Sequence, residues 1–106
     1  MRDAGERDKL ITIQQSTTDT DDFGEEIDTW VPIGREWAAV FYGTGQERRQ
    51  AAAEQGMQAA TFNVLANEMT RAIKLRDRII FGEAWDIVGI SPIGRGAIDF
   101  TAVRAN

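Results

Sequence analysis

The sequence predicts a mainly β fold: a small antiparallel barrel of about six or seven strands, with one short helix inserted between strands. Two observations carry this. Short apolar runs alternate residue by residue, the period of a strand with one face turned inward. Turn residues then punctuate those runs, at Phe23-Gly24, Gly82-Glu83 and Ser91–Gly96. A chain of 106 residues supports one core, and this many strands around one core favours a rolled or closed sheet.

Residues 1–8 are polar and are expected to form a flexible N-terminal segment, with one barrel domain over 9–104. Lys9–Gln15 reads as the first strand, Ile11 and Ile13 on one face and Leu10, Thr12 and Gln14 on the other. Ser16–Glu26 reads as a polar connection with Gly24 at its turn. Ile27–Ile33 reads as a second strand whose Pro32, lacking an N–H, marks an edge or a bulge. Arg35–Tyr42 follows as a third, with Trp37, Ala39 and Phe41 alternating against Ala38, Val40 and Tyr42.

The period then changes. Thr44-Gly45-Gln46-Glu47 has the form of a capping box, Ala51, Ala52 and Ala53 favour helix, and Gly56 is placed to end it. A helix near 45–55 is therefore expected within a loop-helix insertion at about 43–58. It carries no large apolar side chain, and a helix this short is marginal alone in water. Something outside its own barrel must help to order it.

Met57–Ala66 returns to strand, with Phe62 and Val64 facing together. Asn67–Lys74 fits either a helical turn or alternation. Arg78–Phe81 and Ala84–Ile90 form a hairpin, placing Trp85 and Ile87 on one face and Val88 and Ile90 on the other. Ala97–Val103 closes the chain with Ile98 and Phe100 on a common face.

The chain has no Cys and no His, which removes thiolate metal sites, disulfides and the common catalytic triads. No catalytic residue, metal site or cofactor is assigned, and the chain is not read as an enzyme. Asp19-Thr20-Asp21-Asp22-Phe23-Gly24 superficially resembles a calcium loop, but Phe23 takes a ligand position and Trp30 stands where the bidentate Glu belongs. A solvated hairpin loop is the better reading. Gly43-Thr44-Gly45 is no nucleotide fingerprint, because Arg48 replaces the third glycine. Trp37 and Trp85 lie in alternating apolar runs and are assigned to the core, whereas Trp30 is expected to be half-exposed.

No apolar run reaches membrane-spanning length, and none forms a signal segment. Net charge is −5, against a free-standing DNA binder. The charge is uneven: residues 1–36 hold ten acids and four bases, while 67–78 carries Arg71, Lys74, Arg76 and Arg78 against Glu68 and Asp77. That basic group could meet DNA phosphates or an acidic neighbour, or stand as a solvated loop.

Ile11-Thr12-Ile13-Gln14, Asp22-Phe23-Gly24-Glu25, Thr29-Trp30 and Trp37-Ala38-Ala39-Val40 occur here in an order that resembles the head-tail joining proteins of tailed bacteriophages, also called head closure, stopper or adaptor proteins. Asp77-Arg78-Ile79, Gly82 and Trp85-Asp86-Ile87-Val88-Gly89-Ile90 are similar to that family's closing hairpin. The chain departs in having Phe23 for the more usual Tyr, and Asp3, Glu6 and Asp8 in a normally basic start.

The resemblance implies a structural virion protein, assembled in the bacterial cytoplasm. It would form a homo-oligomeric ring beneath a portal or adaptor protein, retain DNA and present a docking surface to a tail protein. Packaged DNA would pass without sequence-specific binding, and no membrane partner is implied. It further implies that Gly43–Gln58 is the subunit-contact or channel-facing element, with Gly43, Thr44, Gly45, Glu47, Arg48, Arg49, Glu54 and Gly56 as its candidate residues. Arg71, Lys74, Arg76 and Arg78 would be a partner-contact group. Alternatives are another connector role such as tail completion, or a barrel that binds nucleic acid or a small ligand.

Overall fold

A computed structural model of the chain describes residues 6–43 and 56–105. Among them are six strands: β1 (Lys9–Thr20), β2 (Glu26–Tyr42), β3 (Met57–Leu65), β4 (Arg78–Phe81), β5 (Glu83–Ile93) and β6 (Ala97–Ala105). One helical turn, α1 (Glu68–Arg71), joins β3 to β4. Every neighbouring pair is antiparallel, and the order β1-β2-β3-β6-β5-β4 closes into a barrel through the pairing of β4 with β1.

The interior follows the expected alternation on four strands, and β4 adds Ile79. Ile11 and Ile13 of β1, Phe62 and Val64 of β3, Ile79 of β4, Trp85 and Ile87 of β5, and Ile98 and Phe100 of β6 are all buried in one cluster. Phe62 is the hub: its ring meets Trp85 edge-on at 5.5 Å and Phe81 at 6.0 Å. Bulky rings need small neighbours in so narrow a barrel, and Ala38, Ala60 and Ala102 supply them. A six-stranded barrel has room for side chains only, so nothing as wide as a nucleic acid passes through it.

β2 corrects the sequence reading twice. The second and third expected strands are one continuous strand, because Pro32 sits beside a bulge and does not end it. The register jumps from Ile13↔Gly34 to Gln14↔Pro32, leaving Ile33 as the extra residue. Trp37 also points outward and is 52 % exposed, while Ala38 takes the inward position. Alternation told the two faces of this strand apart but not which faced in.

The connection assigned to Ser16–Glu26 is largely strand as well. β1 runs on to Thr20 and β2 begins at Glu26, pairing as Ser16↔Trp30 through Thr20↔Glu26. β4 pairs with β1 only at Thr12, Ile13 and Gln14. Beyond Gln14 the hairpin therefore leaves the barrel as a free two-stranded arm, and six residues at ~3.4 Å carry its tip about 20 Å away. An arm with solvent on both faces has no inward stripe, so its polar sequence looked like loop.

The register also sorts the two ends of the barrel. Gln14, Leu65, Arg78, Ile93 and Ala97 share the end from which the arm springs. Tyr42, Met57, Phe81 and Ala105 share the other. The expected helix near 45–55 lies outside the described residues, as do residues 1–5 of the N-terminal segment.

Candidate interaction surfaces

The arm tip is an ordered turn. The Asp21 carboxylate oxygen Oδ1 accepts hydrogen bonds from the amides of Phe23 and Glu25, each at 2.9 Å. Asp21 N–H in turn donates to the Glu25 carbonyl at 2.9 Å. Gly24 has φ +81°, a conformation that L side chains rarely adopt. Oδ1 of Asp21 thus holds the turn together through backbone donors. The turn holds Phe23 clear of its own chain, 90 % exposed.

At its root the arm is stapled to the barrel by Arg78. Its Nε donates to Gln14 Oε1 at 2.7 Å, and its guanidinium lies 4.1 Å from the centre of the Trp30 ring. Trp30 is half-buried, as the sequence suggested. The cation of Arg78 is thereby occupied within the chain by a side chain and an aromatic ring.

The other members of the basic group surround α1. Asn67 caps the turn: its side chain accepts from the Thr70 amide at 2.9 Å, and the Asn67 amide donates to Thr70 Oγ1 at 2.8 Å. Thr70 Oγ1 also donates to the Leu65 carbonyl at 2.8 Å, and Asn67 Nδ2 to Glu36 Oε2 at 3.1 Å. Sequence inspection missed this box because Asn and Thr stand where Ser/Thr and Glu are usual. Past the helix, buried Asp77 accepts from the Lys74 amide at 2.8 Å and returns its own N–H to the Lys74 carbonyl at 3.0 Å. The loop that results leaves Arg71, Lys74 and Arg76 exposed.

β4 is only four residues long, so among the described residues no strand lies beside β5 beyond Asp86 on that side. Pro92 occupies this edge, where a missing N–H does no harm. α1 and Ile73 fill part of the gap. What stays open is a groove of about 480 Å³, floored by Ile73, Ile90, Pro92 and Ile98 and flanked by Arg71 and Arg95. Arg71 Nη2 reaches the Arg95 carbonyl at 3.5 Å across one end.

On the barrel wall, Leu10, Trp37 and Leu65 project outward and exposed. Leu10 pairs with Trp37, and the adjacent Ala38↔Val64 pair sets Trp37 beside Leu65. At the opposite end, Gly43 (φ 66°) and Gly56 (φ 71°) bracket the predicted insertion, and Gly43 N–H donates to the Ala59 carbonyl at 2.8 Å. Thr44, Gly45, Glu47, Arg48, Arg49 and Glu54 lie outside the described residues. Among those described, no group of acidic side chains is arranged to hold a metal ion.

The described residues thus form a narrow, filled barrel with an arm, an edge groove and outward aromatic residues, and the class of protein follows from comparison. The phage head completion protein family model matches residues 2–105, so the chain belongs to that family. Its role is accordingly structural, in completing the phage head. Among the solved structures that share the fold are the following two. Protein SF1141 from Shigella flexneri 2a matches with a TM-score of 0.68 and 23 % identity, covering 96 % of this chain and 95 % of that one. A chain of the virion of a native gene transfer agent particle matches with a TM-score of 0.60 and 22 % identity, covering 91 % and 92 %. Comparison with curated proteins gives no match.

Proposed function

We propose that the chain closes the filled head as a ring beneath the portal or an adaptor, retains the packaged DNA and offers the tail its docking surface. The family match along nearly the whole chain carries this reading, with the filled barrel as its physical complement. DNA has no path through one copy, so a channel must be enclosed between copies. Ring closure requires two different patches on each subunit. The outward Leu10-Trp37-Leu65 stripe and the projecting arm are surfaces of the kind such contacts use. Gly43–Gln58 would serve as the channel-facing or subunit-contact element, and its described flanks, Gly43 and Met57, lie at the end opposite the arm. Exposed Arg71, Lys74 and Arg76 would meet an acidic partner. Net charge of −5 would let DNA slide past without sticking.

The test is DNA retention. DNA-filled heads made without this gene are incubated with the purified protein and then with nuclease. Protection of the genome is expected. Binding to heads or tails without protection would move the chain to another connector position, such as tail completion. Binding to neither would overturn the connector reading.

A further inference from the structure

Two features of this chain are complementary, lie at the same end of the barrel, and do not meet within one copy. The first is the arm tip. Between residues 19 and 28 it holds Asp19, Asp21, Asp22, Glu25, Glu26 and Asp28 with no Lys or Arg, around a single exposed aromatic ring, Phe23. The second is the groove beside the β5 edge, apolar on its floor at Ile73, Ile90, Pro92 and Ile98 and cationic on its rim at Arg71 and Arg95.

We propose that Phe23 of one copy enters the Arg71–Arg95 groove of the next, so that the arm is the strap linking successive subunits. The groove's volume of about 480 Å³ is ample for one phenyl ring, and burying that ring supplies the apolar gain. The carboxylates flanking Phe23 then face the two guanidiniums, which sets orientation and disfavours the reverse pairing. Asp21 keeps the tip folded before contact, so little ordering is lost on docking. The contact joins two different patches and therefore propagates around a ring, whereas a self-complementary contact would stop at a dimer.

This inference rests on the ring reading, and the experiment separates the two. The chain has no Cys, so cysteines placed by design report without background. Full-length Thr20→Cys and Gly96→Cys variants, altered at exposed positions beside the contact and keeping Phe23, Arg71 and Arg95, are incorporated together into particles in place of the natural chain and treated with a short bismaleimide. A cross-link between the two kinds of chain is expected, and the double variant should give a ladder that ends at the ring. A ring seen by electron microscopy without the 20–96 cross-link would overturn the strap and leave the ring standing. Particles with no ring would remove both.

Charge reversal gives a second readout. Arg71→Glu with Arg95→Glu should lower incorporation at least tenfold, and adding Asp22→Lys with Glu26→Lys to the same chain should restore it. Reversal without rescue would also overturn the strap.

Discussion

At the scale of single residues, the core and the wall make opposite predictions. Phe62 is buried against two other aromatic rings, so Phe62→Ala removes packing that nothing else can supply. A loss of ~3–5 kcal/mol in urea-denaturation stability is expected. Trp37 is half-exposed, and Trp37→Ser should change the same measurement by no more than about 0.5 kcal/mol. Its effect should instead appear as reduced incorporation into particles. A large stability loss at Trp37 would mean that the outward face carries core weight. Thr70 is a third kind of residue, a polar side chain with donors and acceptors all engaged. Thr70→Val keeps the shape but strands the Asn67 amide and the Leu65 carbonyl, at a cost of about 1–3 kcal/mol.

At the scale of elements, the arm is separable from the barrel. Its strands pair only with each other beyond Gln14, and Arg78 holds its root through Trp30 and Gln14. Arg78→Met should leave the barrel intact but loosen the arm, read as faster hydrogen exchange at the amides of residues 15–20 and 26–31 than at those of β3 and β6. Unchanged exchange would mean that the arm's own ladder suffices. This element also shows the limits of reading sequence. Ile11, Ile13, Phe62, Val64, Trp85, Ile87, Ile98 and Phe100 were legible because a buried face and a solvent face impose a period of two. Ser16–Thr20 was not, because an arm wetted on both faces imposes none. The groove was equally hidden: its floor joins Ile73 to Ile90 and Ile98, residues brought together only by the shortness of β4.

At the scale of the whole molecule, the connector reading and the ligand-binding reading predict different behaviour toward DNA. A nucleic-acid-binding barrel should bind duplex DNA as an isolated chain, with affinity falling steeply as salt rises. The connector should show little affinity at any salt concentration, and fluorescence anisotropy of labelled duplex would decide. Replacing residues 44–55 by a Gly/Ser linker should leave a folded barrel, by near-identical circular dichroism, that no longer supports infectious particles. Normal particle yield would remove that segment from the mechanism.

The sequence by itself determined the β class, the turns, which residues share a face on β1, β3, β5 and β6, and the head-completion family, since each is written in local alternation or in motifs along the chain. Tertiary structure decided that Pro32 marks a bulge within one long strand, that Trp37 faces outward, that Arg78 is spent on Trp30, and that an acidic arm and a basic-rimmed groove share one end. The physical reason is common to all four. Alternation fixes which residues share a face, but only barrel closure fixes which face is inside, where pairing stops and what is left uncovered.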